Sequence, residues 1–116
     1  MTFQVEVLLK GSEDVVDRTV DFDGPKAAEW TDDDVRRVLT LTLGAFHDVQ
    51  NPGSGAAAVS LRGFSWIVTP VDGGVAIAIE IASGAVVAGP FDVDADELTA
   101  TIRRALAASA RSESVH

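Results

Sequence analysis

The stretch FSWIVTPVDGGVAIAIEIASGAVVAGPF, from Phe64 to Phe91, constrains the fold more than any other part of the chain. Gly73-Gly74, placed as a two-residue hairpin turn whose glycines supply positive φ, sets Pro70 opposite Ile77, Val68 opposite Ile79 and Trp66 opposite Ile81. Side chains alternate along a strand, so these six share one face. Ser65, Ile67, Thr69, Ala78, Glu80 and Ala82 share the other. A second turn at Ser83-Gly84 adds Val86 and Ala88 to the first face and Val87, Gly89 and Phe91 to the second. The first face is a core wall. The second is also apolar: Ile67, Val87 and Phe91 stand among Ala76, Ala78, Ala82 and Gly89, with Glu80 as the single charge.

Elsewhere the pattern changes period twice. Phe3, Val5, Val7 and Leu9 alternate with Gln4, Glu6 and Lys10, the rhythm of a half-buried strand that only Leu8 breaks. KGSEDVVD reads as a loop, and Val20 and Phe22 between Thr19, Asp21 and Asp23 as a second strand, antiparallel to the first and ended by Gly24-Pro25. Thr31 then offers its hydroxyl as an N-cap, and Asp32, Asp33 and Asp34 complement the dipole of a helix of about five turns. Val35, Val38, Leu39, Thr42, Phe46 and Val49 form its apolar stripe, which Leu41, Leu43 and Ala45 widen to roughly 200°. Arg36, Arg37, Thr40, Gly44, His47 and Asp48 fall on the exposed side.

NPGSGAAA, from Asn51, reads as a surface loop. Val59 and Leu61 would open a third strand, one residue out of phase with Phe64 and Trp66, which points to a bulge at Gly63. Asp94 and Glu97 have capping-box spacing ahead of Leu98, Ile102, Ala105, Leu106 and Ser109 at helical period. The predicted fold is therefore α+β, a two-layer sandwich with a five-stranded antiparallel sheet, the order ββαβββα and two helices on one face. One small domain spans 1–111, with a frayed tail at 112–116. The order resembles profilin-like and roadblock-like domains without their first helix, a likeness of topology alone.

The chemistry open to the chain is narrow. With no cysteine among 116 residues there are no disulfides, thiolate metal sites or cysteine nucleophiles. A net charge of −9 opposes binding to nucleic acid or an anionic membrane, because both need clustered Lys and Arg. It suits a basic protein partner. MTFQVEVLLK alternates instead of setting a basic segment before an apolar run, and no stretch approaches the ~20 apolar residues of a membrane span, so a cytoplasmic chain is expected. Seven Arg against two Lys, with abundant Ala, Val, Asp and Gly, suggests a GC-rich bacterial source.

Each candidate site has a plainer account. Asp92-x-Asp94-x-Asp96 copies the opening ligands of a calcium loop, but Glu97 stands where that loop needs Gly and Arg103 where it needs Glu, so helix capping explains it better. Asp32, Asp33 and Asp34 point about 100° apart on a helix and cannot converge on one ion. Ser54, between Gly53 and Gly55, lacks the lysine and following helix of a phosphate loop. His47, with Asp48 and Asn51 within one turn, is the one internal group suited to general acid–base work, on a face that reads as solvated. Trp30 precedes the N-cap, where it staples onto Val35.

These residues imply no catalytic group, no cofactor and no metal. The leading expectation is a small, non-enzymatic interaction or regulatory module, a homodimer through an outer sheet face centred on Ile67, Ala78, Glu80, Val87 and Phe91. The alternatives are a ligand binder or enzyme using His47 with Asp21 and Asp92 at the sheet end, or an acidic inhibitor or immunity-type protein for a basic partner.

Overall fold

The computed structural model describes residues 1–53, 61 and 63–114, with side chains as far as residue 108. Strand β1, Thr2–Leu9, buries Phe3, Val5 and Val7 and turns Gln4, Glu6 and Leu8 outward. It pairs antiparallel with β2, Val15–Asp21. This strand starts earlier than the sequence suggests, because Val15 and Val16 find partners in Leu8 and Val7, and the connecting turn shrinks accordingly. Helix α1, Asp32–Gln50, starts at a reciprocal capping box: Thr31 Oγ1 accepts from the Asp34 N–H at 3.2 Å, and the Asp34 carboxylate accepts from the Thr31 N–H at 3.0 Å.

Strands β3, Ser65–Val71, β4, Gly74–Ile81, and β5, Gly84–Phe91, form the meander, and helix α2, Ala95–Ser114, closes the chain. Asp94 caps α2 by accepting from the Glu97 N–H at 3.1 Å. The helix backbone continues through 112–114, into the segment read as a frayed tail. The sheet is antiparallel throughout, in the order β2-β1-β5-β4-β3. Helix α1 lies over β2, β1 and β5, and α2 lies over β3 beside α1. The α+β expectation holds.

Three details of the meander differ from the sequence reading. Val71 pairs with Gly74, so the first loop is Asp72-Gly73, with the positive φ at Gly73. Trp66 therefore faces Ile79, Val68 faces Ile77 and Pro70 faces Val75. The second loop is likewise Ala82-Ser83, since Ile81 pairs with Gly84. A slip of two residues keeps every side chain on its assigned face.

The third difference moves a residue between faces. Ile77 pairs with Ala88, but Val75 pairs with Phe91, so β5 holds one extra residue at Gly89-Pro90, joined by a cis peptide. This bulge reverses the alternation, and Phe91, expected on the outer face, is 1% exposed in the core. No bulge forms at Gly63, which precedes β3 with a φ of +76°; Leu61 also lies outside any strand, and Ser54 and Val59 fall outside the described residues.

The inner face joins Val5, Val7, Ile77, Ile79, Val86 and Ala88 to Val35, Val38, Leu39 and Phe46 of α1 and Leu98, Ile102 and Ala105 of α2. Trp66, Val68 and Ile81 pack half-buried against this cluster. At one end a chain of rings runs from Phe3 to Phe91 (5.4 Å between centroids), Trp30 (4.9 Å) and Phe22 (6.0 Å). The Trp30 indole N–H donates to the Pro25 carbonyl at 2.9 Å, and the Arg37 guanidinium lies 4.9 Å over Phe22. The ring partners of Trp30 are thus two phenylalanines, and it also lines one depression with Val35, the residue on which the sequence suggests a staple.

Candidate interaction surface

With both helices on one face, the other side of the sheet carries no layer of described residues. Pairing fixes what stands there. Asp17, Glu6, Val87, Ala78 and Ile67 form one row across all five strands, and Val15, Leu8, Ala85, Glu80 and Ser65 form the next. Between the rows runs an oblique apolar strip, Val15-Leu8-Ala85 continuing into Val87-Ala78-Ile67. Asp17 and Glu6 border it on one side and Glu80 on the other.

Large apolar side chains are concentrated here. Among the described residues the exposed ones are Met1, Leu8, Val15, Leu41, Ile67 and Val71, and four of them, Leu8, Val15, Ile67 and Val71, point to this face. Ile67 is the most exposed of all, at 61%. Ala78 and Ala85 are half-buried between larger neighbours and floor an open depression of about 280 Å³. A second depression, about 510 Å³, shares Glu80 and Ala85 and continues to Leu8 and Lys10. Burying such a surface against a partner would release about 25 cal/mol per Å² of apolar area.

Of the five residues singled out in sequence, the structure brings Ile67, Ala78, Glu80 and Val87 together and removes Phe91. Leu8, Val15 and Val71 join them. The signal for Leu8 was its break in the alternation of β1, an apolar residue at an outward position. Val15 lies in a segment with the composition of a loop, and its place on the sheet comes from its pairing with Leu8.

The charges on the two sides of the sheet are arranged differently. On the helical side Asp33 pairs with Arg36 (3.8 Å), Asp34 with Arg37 (3.9 Å) and Asp32 with Arg104 (3.1 Å). Glu6, Asp17 and Glu80 are exposed, and among the described residues none of the three is ion-paired. Lys10 is the basic residue among those lining the larger depression.

The polar alternative occupies a different place. His47 and Asp48 line a groove of about 490 Å³ between α1 and β2, opposite Arg18 and Asp21. His47 is half-buried there, more enclosed than its helical phase suggests, because the stretch of β2 from Arg18 to Asp21 runs alongside α1. Asn51 stays at the helix end, its N–H donating to the His47 carbonyl at 2.8 Å, and neither it nor Asp92 lines the groove.

Gly44 helps keep the groove open, since a Cβ there would meet nothing within 4 Å. Glycine inside a helix costs about 1 kcal/mol relative to alanine, so Gly44→Ala should raise stability by about that amount in a denaturant titration. A loss of stability would show that β2 and α1 approach more closely than described.

Among the described residues no group of three or more His, Asp or Glu side chains is placed to hold a metal ion. Asp21 and Asp23 lie exposed at the end of β2, and Asp94 is engaged at its cap. No described helix is long and apolar enough to cross a membrane. No protein-family model, curated protein or solved structure matches this chain, so the likeness to profilin-like and roadblock-like domains goes no further than element order.

Proposed function

We propose that this protein is a non-enzymatic interaction module whose working surface is the open face of its sheet. The observation that carries the reading is the gathering of Leu8, Val15, Ile67 and Val71 on the one face that neither helix covers. Contiguous exposed apolar area of this kind marks interaction sites in soluble proteins. A second copy of the chain and a basic protein are the two occupants to separate, the latter including the targets of an acidic inhibitor.

Two substitutions test the face itself. Ile67→Asp and Leu8→Asp should leave stability within about 0.5 kcal/mol of wild type, as surface changes do, while removing association. A loss above about 2 kcal/mol in urea unfolding, in a protein that light scattering shows to be a monomer of 12.1 kDa, would mean that the face is covered within the chain itself and would end the reading. Light scattering over a concentration series then identifies the occupant. A mass rising from 12.1 kDa toward a dimer, and falling back in Ile67→Asp, names a second copy. A constant mass points to a partner of different sequence.

A further inference from the structure

We infer that the occupant of this face is a basic amphipathic helix of three to four turns, an inference that rests on the open sheet face being the working surface. The strip from Val15 to Ile67 crosses five strands, a distance of about 19 Å at strand spacing. A helix rising 1.5 Å per residue covers that length in about 13 residues.

The width also suits a helix. The apolar strip is two rows deep, and carboxylates interrupt both rows, Glu6 and Asp17 at one end and Glu80 toward the other. A stacked second sheet would spread over the whole face and bury all three carboxylates, which is costly without partners. An extended peptide would pair with a sheet edge and leave the face untouched. A single helix can lay its apolar stripe along the strip, above the small floor of Ala78 and Ala85.

Charge selects the sequence of that helix. Glu6, Asp17 and Glu80 flank the strip on opposite sides, and among the described residues none of the three is ion-paired, although Lys10 lines the same depression as Glu80. Lys or Arg on both shoulders of the helix's apolar stripe would meet them. Two copies of this chain meeting face to face would instead bring the same carboxylates together, a juxtaposition that disfavours self-association.

The test uses a 14-residue synthetic peptide with Leu at helical spacing and Lys on both flanks, and the same peptide with Glu in place of Lys, titrated calorimetrically into the full chain. The Lys peptide should bind, more weakly as salt rises, and the Glu peptide should not. Binding should weaken at least about tenfold in Ile67→Asp and in the combined Glu6→Gln, Asp17→Asn and Glu80→Gln variant. Glu29→Gln, Asp48→Asn and Asp96→Asn together change the net charge equally, away from the face, and should leave affinity within about twofold.

Equal weakening by the two triple variants would reduce the effect to general attraction by net charge and overturn the inference. So would binding of the Glu peptide. If neither peptide binds while light scattering shows a dimer that Ile67→Asp dissociates, the helix is excluded and the working surface stands. Peptide binding that ignores Ile67→Asp removes both.

Discussion

Phe91→Ala is expected to cost about 3–5 kcal/mol in urea unfolding, the usual loss for emptying a core position of a phenylalanine ring. Phe91 is 1% exposed and lies against Phe3 and Trp30, which cannot close over the gap without moving β1 and the segment before α1. The same substitution at Ile67, on the other face, should cost under about 1 kcal/mol. The comparison reads the bulge directly. Without the extra residue at Gly89-Pro90, Phe91 would stand beside Val87 at the surface, and the two substitutions would cost alike.

The second large effect belongs to Gly84, where β5 begins beside the end of β1. Its φ is +153°, and a Cβ would fall inside contact distance of the Leu8 carbonyl oxygen and 3.1 Å from both the Leu9 Cα and the Phe46 ring. Backbone atoms cannot swing aside as a side-chain tip can. Gly84→Ala should therefore destabilise by on the order of 3 kcal/mol, combining backbone strain with separation of two central strands. A denaturant midpoint close to wild type would show that β1 and β5 do not approach as described.

These two residues also show where sequence reasoning succeeds and where it fails. Parity along a strand is a strong signal, because one face must be dry, and it assigned Trp66, Val68, Ile77 and Ile79 to the core although their partners are two residues from those expected. Register itself was weakly specified: Asp72-Gly73 and Gly73-Gly74 both make a two-residue loop, and both preserve the faces. Strict alternation through Gly89-Pro90 puts Phe91 on the outer face, and the bulge there reverses it. Proline within a strand, preceded by glycine, was the available warning.

The candidate surface was legible in the same proportion. Ile67, Ala78, Glu80 and Val87 follow from the two successive hairpins of the meander, whereas Leu8 and Val15 join them only once β1 is known to lie beside β5. Strand order is a non-local property that alternation does not encode. His47 was placed by helical phase alone, and phase cannot show that a neighbouring strand edge shelters it.

The strand order has a consequence for how the molecule is made. The first strand lies between β2 and β5, so the centre of the sheet joins the beginning of the chain to a strand that starts 75 residues after β1 ends. Until Gly84 to Phe91 has been synthesised, Val5 and Val7 lack Ala88 and Val86 as neighbours, and β1 and β4 both present bare edges. Pairing β1 with β5 requires the closure of one long loop, a non-local contact of the kind that slows folding.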